Sequence, residues 1–280
     1  MPRPKRNHRA ALAPGDENPL NAAVQQRDAS VLVTVRDAIR HGEALMAYQP
    51  ILQGADQRRV AFHEGLIRVL DATGRIIPAK DFMPHVENTE QGRMLDTLAL
   101  RMGTAALRQH PALRLSINMS ARSIGTRSWR KTLDRALSSD PTLGERLILE
   151  ISEHSAMLLP DLVIDFMADY QRQGVCFAMD NFGGGAFTIR HFKDFLFDIL
   201  KIDGQFIQGL AEDADNQVVT GALVSVARHF DMLTVAQNVE RQADAAAACA
   251  LGVDCLQGFY FSAPTTQPDW AQQDSSRQAG

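Results

Sequence analysis

Eight short apolar runs recur along this chain: "LMAYQPIL", "VAFHEGLIRVL", "LRLSINMS", "RLILEIS", "VCFAMD", "FDILKID", "LTVAQNVE" and "VDCLQGFYF". Each is rich in β-branched and large apolar residues and has the length of a single strand. Between them lie stretches with apolar residues at helical spacing, at 91–109, 126–139, 161–173, 214–230 and 241–251. Another helical pattern, "SVLVTVRDAIRHGE", precedes the first run and stops at Gly42. No linker of Pro, Gly or Ser divides residues 30–266. Strands alternating with helices over roughly 240 residues predict an α/β fold, a TIM-type (β/α)8 barrel, for which about 250 residues is typical. A doubly wound open sheet is the runner-up.

A barrel makes a further demand, because the C-terminal ends of its strands converge on one face and functional side chains gather there. Near the ends or inward faces of the runs stand Glu64, Asn118, Glu150, Asp180 with Asn181, Lys201 with Asp203, Gln237 and Gln257. Singly, each reads as an ordinary surface charge or a polar turn. As a set, three carboxylates (Glu64, Glu150, Asp180) and the amide oxygen of Asn118 form an all-oxygen group suited to Mg²⁺ or Mn²⁺. Such an ion polarises a phosphoryl oxygen and acidifies bound water, while Lys201 holds the nucleophile or stabilises developing charge. Phosphate-ester chemistry is the natural reading.

Composition narrows the partners. A net charge of −4 with both signs interspersed argues against a body built to grip a nucleic acid polymer. Cys176, Cys249 and Cys255 lack metal-ligand spacing and read as reduced thiols. With no membrane span or secretory segment in the sequence, the expected location is cytoplasmic. Residues 1–28 mix Pro, charge and amides without periodicity and are expected to form a disordered basic arm, with four Lys/Arg among the first nine residues. The barrel is expected over 29–266, and 267–280 as a C-terminal tail.

In order and spacing, "YQPI", "EGLIR" (64–68), "SINMS" (116–120), "LEISEH" (149–154), "AMDNFGGG" (178–185), "DILKIDGQFI" (198–207), "VAQNVE" (235–240) and "QGFYFSAP" (257–264) resemble the motifs of the EAL domain, over about residues 32–266. The resemblance implies a modified TIM barrel that binds cyclic di-GMP and, in active members, hydrolyses it to pGpG with two Mg²⁺ or Mn²⁺ ions. It implies Glu64, Asn118, Glu150 and the bridging Asp180 as ligands of one ion and Lys201 as the catalytic lysine. Glu153 matches a glutamate that steadies the glycine-rich loop. Arg68, Leu66, Asp203, Glu240 and Gln257 fall at positions that bind the nucleotide.

The chain departs from that pattern at one place in particular. The family has Asp-Asp where this chain has Asp180-Asn181, and Ala-Glu-Gly-Val where it has Ala236-Gln237-Asn238-Val239. Both changes replace acids at the second ion. Gly65 stands for the signature alanine, and "GGGAFT" replaces the loop linked to dimerisation. The expected function is therefore a cyclic di-GMP receptor or regulatory module with impaired hydrolysis, with a protein partner or homodimer in view. The alternatives are an active phosphodiesterase and an interaction module that no longer binds the nucleotide.

Overall fold

The computed structural model describes residues 19–184 and 189–271; residues 1–18, 185–188 and 272–280 lie outside the described residues. Helix α1 (Pro19–His41) leads into β1 (Ala44–Gln53), β2 (Val60–Leu70) and the short β3 (Ile76–Pro78). Then follow α2 (Ala79–Val86), α3 (Glu90–Gln109), β4 (Leu115–Asn118), α4 (Arg127–Ser139), β5 (Leu147–Ser152), α5 (Glu153–Leu158), α6 (Pro160–Gln171) and β6 (Cys176–Phe182). The chain closes with β7 (Ile199–Ile202), α7 (Ala214–His229), β8 (Leu233–Ala236), α8 (Gln242–Ala250) and β9 (Cys255–Leu256). Every one of the eight expected runs carries a strand, and each of the five expected helical stretches between them carries a helix. Three elements were not anticipated: β3, α2 and α5.

The strands follow the order β1-β9-β8-β7-β6-β5-β4-β2-β3, and a β1–β2 pairing closes the first eight into a barrel with β3 outside the ring. It is not the all-parallel TIM arrangement. β1 runs antiparallel to both β2 and β9, while β2, β4, β5, β6, β7, β8 and β9 are parallel. The reason is local: only residues 54–59 join β1 to β2, and a parallel crossover needs about a dozen residues or more.

The barrel interior is layered by the two-residue period of a strand. Ile51, Phe62, Ile148, Ala178, Ile199, Val235 and Cys255 form one buried apolar cluster. Two residues further along six of the seven parallel strands stands a polar side chain: Glu64 after Phe62, Glu150 after Ile148, Asp180 after Ala178, Lys201 after Ile199, Gln237 after Val235 and Gln257 after Cys255. In the inverted β1 the same step runs backwards, from Ile51 to Gln49. An apolar floor thus supports a polar layer made from seven separate segments, to which Asn118 of β4 adds an eighth. Outside the sheet, a larger buried cluster joins the strands to α3, α4 and α6 through Leu100, Leu107, Leu133, Val163 and Phe166.

Both termini differ from expectation. Helix α1 begins at Pro19, so residues 19–28 continue the helix instead of extending the arm. Pro suits the first helical position, and the Ala, Gln and Arg residues that follow are good helix formers even without an apolar stripe. The helix stops at Gly42, whose φ of 74° is left-handed, and Glu43 N–H donates back to the Ala38 carbonyl at 2.9 Å, a glycine-terminated end. At the other terminus the first residues of the expected tail dock. Trp270 meets Tyr48, His63 and His110 edge-on, with ring centroids 4.9, 5.9 and 4.6 Å away. The connection between β1 and β2, residues 54–59, holds no helix, and the Trp270 ring packs beside that hairpin.

Candidate active site in the barrel mouth

Lys201 is the centre of the polar layer. Its side chain is 0% exposed, and Nζ lies 3.0 Å from Glu64 Oε2 and 3.2 Å from Asp180 Oδ1, with its shortest contact to Glu150 Oε2. Asn118 Nδ2 donates to Glu64 Oε1 at 2.7 Å, and Gln257 Nε2 donates to Glu64 Oε2 at 2.6 Å. Asp180 accepts from Gln237 Nε2 at 2.9 Å and from its neighbour Asn181 Nδ2, and forms an ion pair with Lys201. Residues expected at the mouth from seven strand ends therefore do form one hydrogen-bonded cluster.

Burial sets the electrostatics. It opposes a charge on Lys201, yet Asp180, Glu150 and Glu64 outweigh it and hold the ammonium well above its ordinary pKa. Burial would also raise Glu64, but the Lys201 charge and the bonds from Gln257, Lys201 and Asn118 bring it below the usual range. Glu150 is pushed up to about 8, by burial first and then by the Glu64 charge. The three acids close on an ammonium, and among the described residues no group of three or more His, Cys, Asp and Glu stands in a metal-holding arrangement.

The donor chemistry separates the two expected ion sites. Glu64, Asn118, Glu150 and Asp180 remain an all-oxygen set, and Glu150 Oε1 is buried with no hydrogen-bond partner, an oxygen that a hard cation would satisfy. At the second site the amides turn their N–H groups, not their oxygens, toward Asp180. Gln237 Oε1 is left buried and unpartnered. The first set keeps three carboxylates and one amide, whereas the second keeps Asp180 and two amides whose N–H groups face it.

The backbone accommodates both changed positions. The β6–β7 register shifts between Met179 and Phe182, and Asn181 sits in that bulge at φ 56°. Asn238, where the EAL pattern has glycine, is also at φ 56°, a region asparagine tolerates better than most residues. Beyond the bulge, Gly183 has a φ of 100° and donates its N–H to buried Glu153 Oε2 at 3.0 Å. A Cβ there would stand 2.6 Å from the Phe206 ring. Glu153 thus fixes the start of the "GGGAFT" stretch, of which residues 185–188 lie outside the described residues. At Gly65 the methyl space is already filled, since a Cβ would come 3.0 Å from Met46 Sδ.

Other expected residues join less directly. Leu66 lines a cavity of about 440 Å³ that opens beside Glu64, Asn118 and Asp180, within the range of small-molecule sites. Arg68, on the same strand, donates to the Ile67 carbonyl at 3.0 Å and feels the charges of Glu64 and Asp81. Asp203 caps the turn at 204–206 by accepting from Gln205 N–H at 2.8 Å. Glu240 is exposed, and no hydrogen bond or ion pair ties it to the cluster.

Two residues were missed by sequence reading, Gln49 and Asp96. Asp96 lines the cavity and accepts from Ser120 N–H at 2.9 Å and Ser123 Oγ–H at 2.6 Å, holding the segment just after Asn118. Burial outweighs those bonds and pushes its carboxyl up to about 6, against about 3.9 in an unfolded chain. The native state therefore keeps a proton that the unfolded chain has released, so this contribution is complete below about pH 4 and lost as pH rises through about 6. Asp96→Asn is expected to flatten the fall in stability over that window, worth roughly 3 kcal/mol, in urea unfolding at stepped pH. An unchanged slope would mean Asp96 does not carry it.

Comparison with known proteins points one way. A family model described as "EAL domain" matches residues 33–264. The cyclic di-GMP phosphodiesterase PdeB of Shewanella oneidensis is 26% identical over 252 residues, covering 88% of this chain and 29% of PdeB. The bifunctional diguanylate cyclase/cyclic di-GMP phosphodiesterase MucR of Pseudomonas aeruginosa is 27% identical over 253 residues, covering 89% of this chain and 37% of MucR. The chain thus spans about a third of these relatives. Among solved structures, the MucR phosphodiesterase in complex with cyclic di-GMP aligns with a TM-score of 0.74 at 26% identity, covering 84% of this chain and 97% of that one. The FimX domain of Pseudomonas aeruginosa, also bound to cyclic di-GMP, gives 0.78 at 21% identity, covering 86% and 98%.

Proposed function

The chain belongs to the EAL-domain family, and from that premise we propose that it binds cyclic di-GMP as a receptor or regulatory module in bacterial signalling, with hydrolysis impaired at the second metal position. Phosphodiesterases of this family are in general divalent-metal dependent, and two-metal chemistry needs ions about 3.5–4 Å apart to activate water and hold the attacked phosphate. The observation that carries the reading is the engagement of Asp180 by both amides. The carboxylate that would bridge two ions already accepts from Asn181 and Gln237 and pairs with the Lys201 ammonium. For a second ion to bind, both amides would have to rotate and give up those bonds.

Glu64, Asn118, Glu150 and Asp180 would hold one Mg²⁺ or Mn²⁺, which supplies Lewis-acid polarisation of a phosphate oxygen. Lys201, kept cationic, would compete with that ion for the same carboxylates and balance their charge when it is absent. Arg68 would leave its backbone contact to meet a ligand phosphate. With two acids fewer in the mouth, a dianionic ligand meets less repulsion. The retained first-ion ligands also favour a second reading, a slow phosphodiesterase that yields pGpG.

Calorimetric titration with cyclic di-GMP, in EDTA and in Mg²⁺, tests the proposal beside a pGpG assay on the same sample. Binding is expected in both buffers, and Arg68→Ala should weaken it by about 1.5–3 kcal/mol, the worth of a charge-assisted contact. Absence of heat from intact protein in both buffers would overturn the nucleotide reading.

A further inference from the structure

We propose that Gln49 is a positioning residue that fixes which way the Gln257 amide points, and so makes the buried end of the nucleotide site accept hydrogen bonds and not donate them. The inference rests on the nucleotide-binding reading above and adds to it the polarity of one contact.

The Ser262 backbone carbonyl can only accept a hydrogen bond. Gln49 Nε2 donates to the Ser262 carbonyl at 3.0 Å, so its own oxygen must face the other way. There Gln49 Oε1 accepts from Gln257 Nε2 at 3.1 Å. The second hydrogen of Gln257 Nε2 goes to Glu64 Oε2 at 2.6 Å. Both hydrogens are then spent, and Gln257 Oε1 is left buried with no partner. Gln49, Glu64 and Gln257 are 7%, 6% and 5% exposed, so water offers little alternative.

Reversing the Gln257 amide would set its oxygen against both Gln49 Oε1 and Glu64 Oε2, two groups that cannot donate when Glu64 is ionised. Gln49 therefore transmits the polarity of one main-chain carbonyl to the ligand site. Whatever meets Gln257 Oε1 must bring a hydrogen: a ribose hydroxyl, a base N–H or water carried by a divalent ion. A phosphate oxygen is excluded there, which leaves the phosphates to Arg68 and to any ion that Glu64, Asn118, Glu150 and Asp180 would hold.

The test is Gln49→Met, close in volume but unable to enforce the relay. In the ligand-free protein the Gln257 side-chain NH₂ resonances, assigned by their loss in Gln257→Met, should be protected from exchange in the wild type and lose protection in Gln49→Met. Protection unchanged by the substitution would overturn the proposal whatever the protein binds, so it is decided separately from the nucleotide reading. In titrations the variant should bind cyclic di-GMP about 3–10-fold more weakly, the range of one neutral hydrogen bond. That loss should vanish with the 2′-deoxy analogue if the donor is the ribose hydroxyl, vanish with the adenine analogue if it is guanine N–H, and appear only in Mn²⁺ if it is metal-bound water. An equal loss across all ligands and buffers, or no loss at all, would overturn it.

Discussion

Lys201→Met is expected to lower unfolding free energy by about 3–5 kcal/mol in metal-free buffer, the usual cost of leaving buried charge uncompensated. Methionine matches the lysine stem in length and packs in the same space, so the loss reports the ammonium and not a cavity. Lys201 is fully buried and touches three acids; without it Glu64 and Asp180 keep only amide hydrogens, and the Glu150 carboxylate loses the one donor it has among the described residues. For a domain of this size the fall in Tm is roughly 10 °C. Removing the ammonium also leaves an all-oxygen cage for a hard cation. Mn²⁺ should therefore raise the Tm of the variant more than that of the wild type, by an amount that grows with the logarithm of ion concentration. Two thermal scans, in EDTA and in Mn²⁺, decide the matter. A variant as stable as wild type in EDTA would show that the acids are neutral or solvated in the folded state. Equal metal response in both proteins would show that Lys201 does not compete with the ion.

The second large effect concerns the two amides. Asn181→Asp with Gln237→Glu is expected to raise conversion of cyclic di-GMP to pGpG in Mn²⁺ by about a hundredfold or more, the size of an electrostatic contact at a reacting centre. Each single change should do little, because a lone added acid meets Asp180 while the remaining amide still donates to it. Gains that appear only in combination mark residues acting as one unit. The same double variant should lose stability in EDTA and recover it in Mn²⁺, a readout independent of turnover. Glu64→Ala in that background should abolish the activity gain by removing a ligand of the first ion. A wild-type rate of about 1 s⁻¹ or more, ordinary for an enzyme, would mean that the amides serve as ligands after rotating. A double variant that binds two ions and stays inert would transfer the blame to the altered stretch at 183–188.

Much of the fold was legible because its causes are local. The alternation of short apolar runs with helical spacing, and the ending of α1 at Gly42, are properties of neighbouring residues. So is the step of two that sets Glu150 above Ile148 and Lys201 above Ile199 on the same inward face. The start of α1 was misplaced because propensity can extend a helix where no apolar stripe marks it. The docking of Trp270 was missed because its partners, Tyr48, His63 and His110, lie far off in sequence.

By itself the sequence determined the side chains that gather around Lys201, since strand period and motif spacing place them, though not Gln49 or Asp96 beside them, and it determined that acids are replaced by amides at two of those positions. What it left open was how those amides are used. Asparagine and glutamine each carry one accepting oxygen and one donating nitrogen at the end of a freely rotating bond, so composition is silent on which atom faces Asp180 or Glu64. Tertiary structure decides it: Asn181 and Gln237 point hydrogens at Asp180, and the Ser262 carbonyl orients Gln49, which orients Gln257, across separations of 213 and 208 residues. Hydrogen-bond polarity is a property of contacts across the closed barrel, and those contacts exist only once β1 has turned antiparallel and joined its two ends.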